Sequence, residues 1–222
     1  MIASGPSIKD IDFNKYVGNY DFIGMNGAIN LQDINFKYYV VIDENFVKSR
    51  WDLMLKILNI DGVVFVTADC LKIIMEKNIN TISCVLKVIE PIKNMQIEQF
   101  MSKKITVSDE DKDFIIDGDL GFSKDIFRGV FDHHTVAYVA LQLCAYLNYK
   151  QILMAGVDLN NFNLPRFYEC KSNMQPTQLG ECIDVIFRAF SFASHYLTNQ
   201  GIQVTNLSNQ SALTCFKKEE PI

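Results

Sequence analysis

The sequence predicts an α/β fold, a single Rossmann-like domain built on a mostly parallel sheet with helices on both faces. Three observations carry that expectation. Short, wholly apolar runs such as YYVVID (38–43) and VVFVT (63–67) read as strands buried on both sides, the habit of parallel sheets. Segments with apolar residues at helical spacing lie between them, and alternating strand and helix implies parallel pairing. At 222 residues and 49% hydrophobic content, the chain can bury one such core without a second domain.

The elements follow in order. The opening MIASGPS is a very short apolar start followed by a turn of Ser4, Gly5, Pro6 and Ser7, which leaves backbone N–H groups exposed at a strand end. DFIGMN (21–26) and YYVVID (38–43) are strands that end in Asn26 and Asp43. From Glu44 to Leu58, Phe46, Val47, Trp51, Leu53, Met54, Leu55 and Leu58 recur at helical spacing, and VVFVT follows as another strand. TISCVLKVIE (81–90) is strand-like. Between about residues 91 and 128 the pattern weakens into charged and Gly-containing sequence, predicting a lid or insertion. A helix from about His133 to Leu147, a strand QILMAG (151–156), a polar loop (158–175), a helix from near Pro176 to about Leu197 and a strand IQVTNL (202–207) complete the fold. The tail KKEEPI is expected to fray.

Composition removes several classes of function. A net charge of −5 and a pI near 5.2 oppose nucleic-acid binding, which needs a basic footprint. No apolar run reaches the roughly 18 residues of a membrane span, and no export signal is present, so a cytoplasmic, soluble protein is expected. The six cysteines lack Cys-x-x-Cys spacing and read as reduced thiols, and with three histidines a structural zinc site is not expected. Any anionic ligand must therefore meet a local patch.

In an open parallel sheet ligands bind beyond the carboxyl ends of the strands, where strand order reverses. That rule gathers Ser4 to Ser7, Asn26 with Gly27, Asp43, and Gly156 with Asp158. A second group is GVFDHHTVAY, where His133, His134 and Thr135 open a helix whose N–H groups suit a phosphate, with Asp132 or Thr135 as an ordinary cap in the competing reading. His134 is a candidate for ligand contact or proton transfer; His195, on an apolar helix, reads as packed. The loop DLNNFNLPRFYECKSNMQP concentrates amides with Arg166 and Tyr168. Arg166 and Arg128 are two of only four arginines, and each suits a carboxylate or phosphate through its planar fork. Asp117-Gly118-Asp119 has the Asp-x-Asp spacing of metal-holding glycosyltransferases, but it lies among other acids and no strand delivers it to the site. No metal is expected.

The run GFSKDIFRGVFDHHTVAYVALQLCAYLNYKQILMAGVDLNNFNLPRFYE, with ASGPS at the start and NLS at 206–208, resembles the WaaZ/RfaZ-type lipopolysaccharide core proteins, assigned as Kdo transferases. More distantly, the order of GPS, strand-end Asn, hydroxyl at a helix start and G-x-D strand end is similar to the bacterial CMP-sialic-acid transferases. The resemblance implies a GT-A-like domain that transfers Kdo from CMP-Kdo to a lipopolysaccharide inner-core acceptor, at the cytoplasmic face of the inner membrane and without a cofactor. It places Ser4, Gly5, Pro6 and Ser7 by the donor phosphate and ribose, and Asn26, Gly27 and Asp43 by the nucleotide. It places Thr135 and His134 by the cytidine phosphate, Gly156 and Asp158 by cytosine or ribose, and Tyr168 on the leaving phosphate. A strand-end Asn of the sialyltransferases is Asp43 here. Their base histidine has no counterpart between Lys171 and Leu179, which leaves His134 and Asp158 as alternatives for the base. A CMP-sialic-acid transferase, a non-catalytic nucleotide-binding domain and an ATP- and metal-dependent diphosphokinase are the rival readings.

Overall fold

The computed structural model describes residues 1–77, 82–98 and 104–221. Thr81 of the expected strand, residues 99–103 of the expected insertion and Ile222 of the tail lie outside the described residues.

Strands β1 (Phe22–Met25), β2 (Phe36–Val41), β3 (Val63–Val66) and β4 (Val85–Val88) form one parallel sheet in that order. Beyond them the chain forms β5 (Ile92–Lys93), β6 (Gln96–Glu98), β7 (Lys104–Thr106), β8 (Phe114–Asp117) and β9 (Leu120–Ser123), then β10 (Gln151–Met154), β11 (Gln203–Asn206) and β12 (Lys217–Lys218). The last three are parallel to one another. Residues 1–3 join the two parallel sets. Ile2 bridges Gly24 on one side and Ala155 on the other, both in parallel. Ile2 N donates to Ile23 O at 2.8 Å and Met25 N to Ile2 O at 3.1 Å, while Ala3 N donates to Ala155 O at 2.8 Å and Ala155 N to Met1 O at 3.0 Å.

The short apolar start is therefore the central strand, held by hydrogen bonds on both edges. The chain steps from it outward to β4 on one side and later returns to step from β10 outward to β12 on the other. The reversal of strand order falls at residues 1–3, which is where such folds open a ligand crevice.

Side chains alternate between the two faces, as strand geometry requires. Met25, Val40, Phe65, Ile152 and Met154 enter one buried cluster, and Ile2, Tyr39, Val41, Val64 and Val66 the other. The first face is covered by α4 (Val136–Tyr146) and α5 (Ile183–Asn199), the second by α1 (Glu44–Ser49), α2 (Trp51–Leu58) and α3 (Ala68–Glu76). The mixed α/β architecture with a parallel sheet is thus as expected.

Several boundaries differ from the sequence reading. The helix expected over 44–58 breaks at Arg50, whose dihedrals (φ −124°, ψ 49°) leave the helical region. Helix α3 is an addition to the expected elements; Thr67 caps it by accepting from Cys70 N at 3.2 Å, and Cys70, Ile73 and Ile74 form its buried stripe. Helix α4 starts at Val136 rather than His133, because His133 (φ 38°) and His134 (φ 63°) are both left-handed. Helix α5 starts at Ile183 rather than near Pro176, and Lys217–Lys218 pair with β11 instead of fraying.

The expected insertion consists of antiparallel pairs, β5 with β6, β6 with β7 and β8 with β9. Its buried Ile92, Ile97, Val107, Phe114, Leu120 and Phe122 belong to the α4–α5 cluster. Gln142 of α4, fully buried, ties this region down: its Oε1 accepts from Ser123 N (2.9 Å) and Phe131 N (3.2 Å), and its Nε2 donates to Phe131 O (2.6 Å). Asp117-Gly118-Asp119 is the tip of the β8–β9 hairpin, with Gly118 at φ 59°.

Candidate functional site

At the carboxyl edge of the sheet four strand ends interlock. After the central strand, Ser4 and Gly5 lead into a short 3-10 helix (Pro6–Asp10) with Pro6 at its first position. Gly5 N donates to Gly156 O at 3.0 Å across the strand ends. Asp158, 5% exposed, accepts from Ser7 N at 3.1 Å, from Ser7 Oγ at 2.5 Å and from Asn161 Nδ2 at 3.1 Å. Ser208, beyond β11, shares a hydrogen bond with Ser7 Oγ (2.7 Å) and accepts from Gly156 N (3.1 Å).

These contacts explain the small residues. A Cβ on Gly5 would stand 2.5 Å from Asp158 Oδ2 and 2.6 Å from Gly156 O, so no larger residue fits the turn. Gly156 adopts φ 71°, which favours glycine. The Ser-Gly-Pro-Ser turn is small because the buried carboxylate and backbone of the β10 end pack directly against it.

On the other side of the central strand, β1 ends in Asn26 and Gly27. Asn26 is left-handed (φ 46°), and its carbonyl accepts from the buried Tyr39 hydroxyl at 2.7 Å. Its side-chain Oδ1 is buried and has no hydrogen-bond partner. An unpaired buried acceptor beside a crevice asks for a donor from a ligand. Gly27 lies against the ring of Tyr168, so close that a Cβ there would stand 1.8 Å from Cε1. The loop carrying Tyr168 is also tied to the turn, since Phe167 N donates to Ser4 O at 3.2 Å. Burial pushes the Tyr168 phenol up to about 12, so it remains a hydrogen-bond donor at physiological pH.

Glu169 anchors that loop. Its carboxylate, 0% exposed, accepts from Arg166 N (3.0 Å), Arg166 Nη1 (2.9 Å), Arg50 Nη2 (3.2 Å) and Gln175 N (3.3 Å). These bonds and the two guanidinium groups hold its pKa below the ordinary carboxylate value even though burial, the largest influence, opposes them. Arg50 lies 5.4 Å over the Tyr168 ring.

The structure thus brings Ser4, Gly5, Pro6, Ser7, Asn26, Gly27, Gly156, Asp158, Arg166 and Tyr168 to one edge. The other residues singled out in the sequence make local contacts, Thr135 in the capping role of its competing reading. Asp43 caps α1 by accepting from Asn45 N at 2.8 Å, and the Thr135 hydroxyl caps α4 by accepting from Ala137 N at 3.3 Å. His134 is exposed in the turn before α4, its N–H donating to Asp132 Oδ1 at 2.9 Å. His133 is a packing residue: it stacks on Phe131 (5.8 Å), its Nε2 lies 3.2 Å from Gly121 O, and burial lowers its pKa. Arg128 pairs with Asp111 (3.3 Å) and Asp113 (3.4 Å) of the insertion. Asp119 pairs with Arg188.

Arg50, Glu169 and Asn161 join the site without having stood out in the sequence, and Ser208 joins it as the last residue of the NLS stretch at 206–208. Among the described residues no three His, Cys, Asp or Glu side chains gather as a metal would require. A cleft of about 690 Å³ opens at the amino ends of the strands, lined by Phe13, Tyr16, Phe22 and Tyr149 among others. The polar strand-end residues lie at the opposite edge, which is the edge where this fold class does its chemistry.

A family model described as 3-deoxy-D-manno-octulosonic acid transferase WaaZ matches residues 1–216. A protein of Salmonella typhimurium named a probable 3-deoxy-manno-octulosonic acid transferase is 33% identical over 93 residues, 42% of this chain and 34% of that protein. A protein of Escherichia coli with the same name is 33% identical over 95 residues, 43% of this chain and 32% of that protein. The matched stretch spans about a third of the length of these curated relatives. Among solved structures, the sialyltransferase CST-II in complex with a trisaccharide acceptor and CMP is similar with a TM-score of 0.50 at 13% identity, over 99% of this chain and 84% of that one. That likeness establishes a shared glycosyltransferase-type fold. Among the described residues no helix is long and apolar enough to cross a membrane.

Proposed function

The chain belongs to the WaaZ family of 3-deoxy-D-manno-octulosonic acid transferases, and from that premise we propose that it moves Kdo from CMP-Kdo to a lipopolysaccharide inner-core acceptor. One observation carries the donor half of this reading. At the point of strand-order reversal, a crowded small-residue turn, an unpaired buried Asn26 oxygen and a Tyr168 ring laid on Gly27 line a single edge.

In this reading Asn26 Oδ1 accepts from the nucleotide, and Ser4 faces the donor phosphate and ribose; the expected row of free turn amides is not there, because Gly5 N–H is given to Gly156 O, Ser7 N–H to Asp158, and Pro6 has none. Asp43 and Gly156 flank the nucleotide. The acceptor hydroxyl attacks the anomeric carbon, the bond from that carbon to the phosphate oxygen breaks, and its electron pair leaves with CMP, inverting the centre. Tyr168, protonated well above neutral pH, donates to the departing phosphate, while the α4 N-terminus capped by Thr135 adds its dipole. His134 takes the acceptor proton. Asp158 holds the turn, because its two oxygens are already engaged by Ser7 and Asn161. The donor is a substrate, and no cofactor is required. The lipid-linked acceptor brings the enzyme to the cytoplasmic face of the inner membrane as a peripheral visitor.

The proposal is tested by titrating CMP and by a CMP complex. Nucleotide contacts to Asn26, Gly27 and the Ser4–Ser7 turn are expected; binding elsewhere overturns it. Because CMP departs with a single phosphate, turnover should also survive EDTA, and Asp117→Asn with Asp119→Asn should leave most activity. Loss of activity restored by magnesium or manganese contradicts the metal-free reading.

Arg166 holds an anion of the donor or acceptor with the donors it does not share with Glu169. Arg166→Lys keeps the charge but loses the fork, at a cost of about 1.5–3 kcal/mol in transition-state binding. Kinetics of the folded variant decide this: kcat/KM should fall by one to two orders of magnitude on this scale, and wild-type values would reduce Arg166 to a loop tether.

A further inference from the structure

Resting on the nucleotide-sugar reading, we propose that Arg50 and Arg166 together seat one oxyanion of the sugar donor beside Tyr168, with Arg50 as a determinant of specificity for a charged donor. Two guanidinium groups share the single buried carboxylate of Glu169, at 3.2 Å and 2.9 Å, so one positive charge is left over. Asp52, which also acts on Tyr168, is exposed in the first turn of α2 and screened by water. Arg50 Nε is buried and has no hydrogen-bond partner. Its Nη2 is used by Glu169 and by Asn173 O, at 3.3 Å, which leaves other donors of the fork for a ligand.

A simple tether would not have this form. One guanidinium neutralises one carboxylate, and a second brings an excess charge and an unpaired buried donor, which a single anion relieves together. The side chains remain 14% exposed for Arg50 and 27% for Arg166, so the pair is reachable from solvent. Arg50 also breaks the helix expected over 44–58, leaving helical dihedrals at the residue whose side chain crosses to Glu169 and Tyr168. The oxyanion is either the phosphate or the carboxylate beside the anomeric carbon of a 2-keto acid sugar; both match the planar fork.

The test measures cytidine and CMP affinity and the KM for CMP-Kdo in wild type, Arg50→Met and Arg50→Lys. If the seat takes phosphate, the preference for CMP over cytidine falls at least tenfold in Arg50→Met. If it takes the sugar carboxylate, CMP affinity holds while the KM for CMP-Kdo rises at least tenfold. Wild-type values throughout, or equal weakening of all three ligands, overturn the proposal, the latter because it marks a purely structural role. Should Arg50→Met not fold, Arg50→Lys is read by the same criteria, since it keeps the charge without the fork. A wild-type protein that binds neither CMP nor CMP-Kdo refutes the nucleotide-sugar reading instead. The seat is then judged with inorganic phosphate: a rise in melting temperature present in wild type and lost in Arg50→Met supports it, and no rise in wild type overturns it.

Discussion

Asp158→Ala is expected to cost about 3 kcal/mol of stability and nearly all transfer activity. The carboxylate is 5% exposed and accepts from the Ser7 amide, the Ser7 hydroxyl and the Asn161 amide. Removing it strands the Ser7 and Asn161 N–H donors at the junction of the central strand and β10, while the Ser7 hydroxyl keeps Ser208, and a stranded buried donor costs about 1–3 kcal/mol, less where water enters the space. The same change frees Ser7 and with it the turn that faces the donor, so binding fails together with stability. Asp158→Asn keeps the shape but turns an N–H₂ toward a donor, and should lie between the two. Denaturant unfolding with CMP titration measures both effects. An Asp158→Ala protein of wild-type stability and affinity would show that the interlocked strand ends do not hold the site.

His134→Asn is expected to lower kcat by roughly 10²-fold, the scale of general base catalysis, while CMP affinity changes by no more than a few-fold. Its backbone is fixed by the bond from its N–H to Asp132 and by the Thr135 cap behind it, yet its ring is exposed at the mouth of α4. An imidazole so placed is free to take the acceptor proton. His133, one residue earlier, is the internal control. It packs on Phe131 and Tyr138 and faces Gly121, so His133→Asn should lower melting temperature more than turnover. Steady-state kinetics and melting curves of the two variants separate the roles. Equal activity of the two would remove His134 as the base.

The sheet is legible in the sequence because parallel strands buried on both faces must be apolar, as VVFV and the YYVV of 38–41 are. Strand ends are legible for a related reason: Asn26, Gly156 and Asp158 are where the apolar runs stop. What stays hidden depends on contacts between distant residues. Arg50 meets Glu169 across 119 positions and Ser7 meets Ser208 across 201, and no local pattern announces either. Arg50 in particular sits inside a helical apolar pattern, which argues for continuity just where the chain bends.

Other differences have a readable signal. Thr67 followed by Cys70, Ile73 and Ile74 has the cap and spacing of α3, and Asp117-Gly118 is a hairpin turn whose spacing imitates a metal motif. The late start of α4 has none, since left-handed histidines are a conformation that sequence does not favour.

The most direct test of the central claim is transfer itself. The purified chain, incubated with CMP-Kdo and a lipopolysaccharide inner-core acceptor, should release CMP and add a Kdo unit detectable by mass spectrometry, while CMP-sialic acid offered in its place should give no comparable product. Failure to transfer from CMP-Kdo under conditions where the folded protein binds CMP, or transfer from CMP-sialic acid alone, would contradict the account.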